Sequence, residues 1–136
     1  MSYQVDDDLG RIDRDAVWQF LSTEAYWEKW RTREEVERQI DGAWRVVGAY
    51  ADRSGELVGF ARAVSDGVAF AYLADVFVLA EHRGHGVGKM LVKKMIDDGP
   101  GAGFRWTLDT RDAHGLYRQF GFAEPDSRAL VRHRHP

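Results

Sequence analysis

The stretch Asp75-Val76-Phe77-Val78-Leu79-Ala80-Glu81-His82-Arg83-Gly84-His85-Gly86-Val87-Gly88-Lys89 leads from a hydrophobic run through closely spaced glycines into an amphipathic segment. The amphipathic part, Gly86 to about Asp97, reads as a helix, with Val87, Leu91 and Met95 four apart and Lys89 and Lys93 opposite them, stopped by Gly99-Pro100-Gly101. A strand that ends in glycines and enters a helix exposes successive backbone N–H groups, with the positive end of the helix dipole behind them. That is the chemistry of an anion cradle. Two familiar phosphate loops do not fit. The Walker pattern needs Gly where Arg83 stands and Ser or Thr where Met90 stands, and the dinucleotide pattern needs a third glycine at Lys89.

Working outward, Val68 to Leu79 is apolar on both faces, as suits a central strand covered on each side. Two further runs rich in Val, Phe, Tyr and Trp precede it, Trp44 to Ala51 and Leu57 to Val64. Asp52-Arg53-Ser54-Gly55 and Asp66-Gly67 separate the runs, giving three strands in two hairpins. Upstream, Asp13 caps a helix over residues 14 to 22, and Thr32 with Glu35 forms a capping box for a second helix that ends near Asp41-Gly42. Downstream come a strand from Phe104 to Thr110, a helix carrying Ala113, Leu116, Tyr117 and Phe120 on one stripe and closing at Gly121, and a short strand from Ala129 to Arg132. The crossover between strands 68–79 and 104–110 makes them a parallel pair. The fold class is therefore α+β: a mixed, mostly antiparallel central sheet flanked by helices.

At 136 residues, 44% of them apolar, the chain is expected to form one domain over 1–136. A net charge of -3 disfavours nucleic acid as a partner. No apolar run approaches a membrane span, and the acidic start, MSYQVDDDLG, lacks a signal-peptide pattern, so a cytoplasmic protein without membrane association is expected. The absence of cysteine excludes thiol nucleophiles and zinc-thiolate sites, and no metal is expected.

The spacing Arg83, Gly86, Gly88, directly after a long hydrophobic strand, resembles the Arg/Gln-x-x-Gly-x-Gly/Ala coenzyme A motif of the GCN5-related N-acetyltransferase (GNAT) superfamily. A second segment, Ala113-His114-Gly115-Leu116-Tyr117-Arg118-Gln119-Phe120-Gly121-Phe122, is similar to that superfamily's A-x-x-L-Y-x-x-x-G-F signature. The element order matches from about Asp13 onward. The resemblance implies the GNAT fold, with its parallel strand pair splayed by a β-bulge to admit the cofactor.

It also implies transfer of an acetyl group from acetyl-CoA to a primary amine of a small molecule or protein, by direct attack in a ternary complex. Backbone amides of Arg83, Gly84, His85, Gly86, Val87 and Gly88 would hold the pyrophosphate, with Lys89 adding charge. The backbone of Val76, Phe77 and Val78 would run beside the pantetheine arm, and the Val76 N–H would face the thioester oxygen. Thr110 stands where the family usually has Asn, and its hydroxyl is the replacement contact. Tyr117 occupies the position of the acid that protonates the departing thiolate, or else is a core tyrosine. Two roles are open to Asp75: receiving the substrate's ammonium and relaying its proton, or serving as a structural carboxylate. Tyr26, Trp27 and Trp30 are candidates for the acceptor wall or for packing. The alternative activity is a non-catalytic acyl-CoA sensor of the same fold. A homodimer and a longer acyl donor stay open.

Overall fold

The computed structural model of the chain describes residues 2–135. An N-terminal strand β1 (Tyr3–Asp6) is followed by helices α1 (Arg14–Thr23) and α2 (Arg33–Asp41), and then by strands β2 (Arg45–Ala51), β3 (Leu57–Ser65) and β4 (Phe70–Val78). Helix α3 (Val87–Met95), strand β5 (Arg105–Thr107) and helix α4 (His114–Arg118) complete the order. Asp13 caps α1 by accepting the Ala16 N–H, and the Thr32–Glu35 capping box opens α2 with both reciprocal bonds made. The sheet order is β1-β2-β3-β4-β5, antiparallel except for the β4/β5 pair. This is the mixed sheet flanked by helices that the sequence predicts.

Each face of the sheet buries its own core. Val46, Tyr50, Phe60 and Phe77 meet Val17, Phe20, Leu21, Val36 and Ile40 of α1 and α2 on one side. On the other side Val47, Ala49, Val58 and Leu73 meet Val87, Leu91, Val92 and Met95 of α3, with Tyr117 of α4. Among the described residues no helix is long and apolar enough to cross a membrane.

One irregularity organises the fold. Phe60 pairs with Phe77 and Arg62 with Ala74, so a single β3 residue, Ala61, opposes two on β4, Asp75 and Val76. This is a β-bulge. Side chains along a strand alternate faces, so one inserted residue reverses every position after it. Leu73 accordingly belongs to the α3 core, whereas Phe77, four residues later, belongs to the α1/α2 core, where it stacks on Phe20 with centroids 4.1 Å apart. Asp75 takes the bulge conformation at φ +54. Asp tolerates the left-handed region better than most L-residues.

Three expectations need correction. The strand predicted at Ala129–Arg132 does not form: Leu130 is 95% and Val131 73% exposed. A strand requires a hydrogen-bonding neighbour, and the backbone bond here is local, from Ala129 N–H to the Asp126 carbonyl. Strand β1 was not foreseen, because Tyr3 and Val5 give only two alternations before three consecutive Asp residues; pairing with β2 makes it a strand. Finally, β5 is paired only over Arg105–Thr107 and α4 is helical only over His114–Arg118, both shorter than their apolar patterns.

Candidate active site

Strands β4 and β5 are paired from Phe70/Arg105 to Tyr72/Thr107 and then separate. The gap opens into a cleft of about 640 Å³, with Leu73 to Val76 on one wall, Leu108 to Ala113 and Tyr117 on the other, and Tyr26 and Trp27 over it. Past Tyr72 the β5-side edge of β4 has no strand partner. The Leu79 N–H donates to Val58 on β3, so alternation places the backbone groups of Phe77 toward β3 and those of Val76 and Val78 toward the open edge. The Val78 carbonyl accepts Arg83 Nε at 3.0 Å.

The bulge is fixed by a carboxylate with its acceptor capacity filled. Asp75 Oδ1 accepts from Trp27 Nε1 at 2.7 Å and one Arg31 terminal nitrogen at 3.0 Å. Its Oδ2 accepts from the other Arg31 terminal nitrogen at 2.8 Å and from Arg62 Nε at 2.6 Å. A carboxylate offers about four lone-pair positions. The side chains of Asp75 and Arg31 are each 2% exposed. Burial pushes the Asp75 pKa up, but the hydrogen bonds and charges of Arg31 and Arg62 outweigh it and hold the group below the usual carboxylate range. Of the two roles open to Asp75, the bonding pattern favours the structural one, since neither oxygen has room for an ammonium and the group is a weak base.

Tyr117 is 7% exposed, packs edge-on against Phe122, and lines the cleft with its hydroxyl bonded to no other described residue. Burial, followed by the influence of Tyr26 and Asp112, raises its pKa to about 12. It is therefore a neutral phenol throughout the physiological range. Thr110 also lines the cleft, and its Oγ1 accepts the Ala113 N–H at 3.1 Å, closing the turn into α4. Tyr26 bridges the cleft: its hydroxyl accepts the Arg111 N–H at 3.1 Å, and the Arg111 guanidinium lies 3.8 Å above its ring. Trp30 does not line the cleft. Its indole N–H donates to Glu28, and Arg134 lies 3.5 Å above its ring.

The glycine turn is built for its backbone. Gly84 and Gly86 sit at φ +82 and +81, with nothing within 4 Å of where a Cβ would stand, so conformation and not space requires glycine there. Gly86 is the N-cap of α3 and offers no side-chain bond. Met90 N–H is the first to reach a helix carbonyl, that of Gly86, so the amides of Val87, Gly88 and Lys89 have none to donate to. The first turn holds no acidic residue. His82 is half-buried, with Nδ1 2.9 Å from the Tyr3 hydroxyl.

The family model described as "Acetyltransferase (GNAT) family" matches residues 13–122, most of the chain and both motifs. The chain belongs to the GNAT family. A crystal structure of a GNAT-family protein from Xanthomonas campestris pv. campestris is 37% identical, superposes with a TM-score of 0.90, and is covered to 95% by all of this chain. A curated protein of Gibberella zeae, provisionally named an acetyltransferase, is 33% identical over 84 residues. That alignment takes in 62% of this chain and 45% of the relative, so the chain spans less than half of the relative's length. Glucosamine-6-phosphate N-acetyltransferase from Arabidopsis thaliana shares the fold at 14% identity, with a TM-score of 0.68 and 99% of each chain covered.

Within this GNAT domain the structure adds two residues that the sequence reading did not single out, Arg31 and Arg62. A signal for Arg62 was present: it interrupts the apolar run Leu57 to Val64, as Asp75 interrupts the next strand. A charge inside a buried strand needs a partner of opposite sign. The sequence does not say which charges meet, because the bulge decides which face Asp75 occupies. Among the described residues no group of three or more His, Cys, Asp or Glu is placed to hold a metal.

Proposed function

We propose that this GNAT protein transfers an acetyl group from acetyl-CoA to a primary amine by direct attack, without an acyl-enzyme. The observation that carries the reading is the separation of β4 from β5 past Tyr72, which leaves Val76 on one wall of the cleft and Tyr117, whose hydroxyl bonds to no other described residue, on the other. The free amides at the start of α3 fit a pyrophosphate, held by N–H groups and the helix dipole without a basic surface. In this reading the Val76 N–H, on the open edge of β4, donates to the thioester oxygen as negative charge develops there, the role of an oxyanion hole.

In the reaction the amine nitrogen bonds to the acyl carbon, the C–S bond breaks, and the proton lost by the amine is balanced by the one gained by the thiolate. Full transfer from a phenol of pKa about 12 to a thiolate of pKa about 8.5 would be uphill by about 5 kcal/mol. Tyr117 therefore acts by donating a hydrogen bond to the sulfur as its charge grows, with the net proton delivered from the amine or solvent. The acceptor amine enters neutral, because Asp75 is saturated.

That saturation is also the observation favouring a second reading, an acyl-CoA-binding module without turnover. Two measurements separate the possibilities. Calorimetry with CoA and acetyl-CoA should show binding, and thiol release from acetyl-CoA should accelerate with an amine panel. Binding without amine-dependent release selects the module, and a folded protein that binds neither ligand refutes both.

A further inference from the structure

The ion cluster behind the cleft is unbalanced: one carboxylate, Asp75, faces two guanidinium groups, Arg31 and Arg62. Arg31 is fully engaged, with Nε on the Glu28 carbonyl, one terminal nitrogen shared between Gln39 and Asp75, and the other on Asp75. Arg62 is not. Only its Nε is used, on Asp75, while its two terminal amino groups bond to no other described residue; the side chain is 11% exposed, and the residue lines the cleft. A nearly buried guanidinium with a free fork and a surplus positive charge is a receptor for an anion. The cleft mouth has the opposite sign. Glu28, Asp109 and Asp112 line it as exposed acids, against Arg111. A zwitterion matches this pattern: the acidic rim attracts its ammonium form on approach, the amine gives its proton to solvent there and enters neutral, and Arg62 takes the anionic end.

We propose that Arg62 binds a carboxylate on the acceptor, so that the substrates are small amines bearing a carboxylate, namely amino acids or short ω-amino acids. This rests on the acetyl-transfer reading above. A planar carboxylate suits the parallel N–H groups of one guanidinium, and Asp75, bonded to Arg62 Nε, holds that fork in place. Spacing limits the acceptor. Arg62 bonds to Asp75, the neighbour of Val76, whose N–H faces the acyl oxygen. The carboxylate and the attacking amine are therefore separated by a few bonds. The cleft of about 640 Å³ must also admit the acyl arm, which excludes bulky acceptors. Asp75 is then a positioning residue and Arg62 a specificity-determining one.

The test compares amino acids and ω-amino acids with their own carboxamides, at equal free-base amine concentration, by thiol release from acetyl-CoA. The wild-type protein should prefer the carboxylate member, and Arg62→Gln should reduce the carboxylate-to-carboxamide ratio of kcat/KM by about 10- to 100-fold, the range for a lost charge-assisted hydrogen bond. Arg62→Lys should retain part of the preference. A structural role alone would lower both members together and leave the ratio unchanged, which would overturn the proposal, as would a wild-type ratio at or below one. A ratio that falls in Arg111→Gln and not in Arg62→Gln would also refute it, placing recognition at the rim. Calorimetry with the same amino acids and CoA needs no turnover: binding by the wild type that is lost in Arg62→Gln supports the site even if transfer fails, and no binding by the wild type refutes it. Loss of CoA binding and thiol release with amino acid binding retained would instead sink the acetyl-transfer reading alone.

Discussion

Asp75→Asn removes one negative charge from between two guanidinium groups without disturbing the backbone, since Asn accepts φ near +54 as readily as Asp. The amide keeps one acceptor oxygen but turns an NH2 toward N–H donors, leaving Arg31, whose side chain is 2% exposed, without its counter-ion. Breaking a buried pair by removing one partner costs about 3–5 kcal/mol. Arg62 loses only its Nε bond and already lines the cleft, which favours the lower end. With an unfolding entropy of about 2.1 cal/mol/K per residue and 136 residues, 3 kcal/mol lowers Tm by about 10 °C. The assay is urea denaturation and thermal melting followed by circular dichroism, from pH 7 downward. The Asp75 pKa is depressed in the folded state, so its stabilisation is fully present above the unfolded value of about 3.9 and is lost as pH falls through the folded value. The gap between wild type and variant should therefore stay constant from pH 7 to about 5 and close only below about 4. A gap under about 1 kcal/mol at pH 7, the range of exposed pairs, would refute the claim that this ion cluster holds the bulge.

Tyr117→Phe should lower kcat by about 10- to 100-fold, up to but not beyond the lower limit of full general-acid catalysis because Tyr117 only donates a hydrogen bond, while CoA affinity measured by calorimetry changes little. Because the phenol titrates at about 12, the wild-type rate should show no alkaline loss attributable to Tyr117 below about pH 10. The two glycines of the turn should behave differently. Gly86→Ala forces a side chain into φ +81 and should weaken CoA binding and lower stability by about 1–2 kcal/mol. Gly88→Ala, whose Cβ would stand 3.6 Å from Leu116, should bind CoA almost normally in the same titration.

Much of the site's framework was legible because local chemistry encodes it. The glycine cluster ends β4 and opens α3 as its place in the sequence predicts, with Gly84 and Gly86 in left-handed conformations, and the capping residues Asp13 and Thr32 start their helices. Apolar runs located β2, β3 and β4, since a strand covered on both sides must be apolar throughout. Strand ends were less legible. The apolar pattern from Phe104 to Thr110 continues past Thr107, but there the chain must leave β4, and Leu108 lines the cleft instead of a ladder. The tail segment Ala129–Arg132 shows the same limit, as β propensity without a neighbouring edge makes no strand.

By itself the sequence determined the fold class, the parallel crossover, the glycine turn that opens α3 and Tyr117 on the inward stripe of α4, because each rests on residues close together in the chain. Only the tertiary structure decided the company that Asp75 keeps. Trp27, Arg31 and Arg62 lie 48, 44 and 13 positions away from it. They meet because one extra residue in β4 reverses the strand's phase and turns the carboxylate toward α1 and α2. Asp75 engages only the Nε of Arg62, which lines the cleft with its terminal groups bonded to no other described residue.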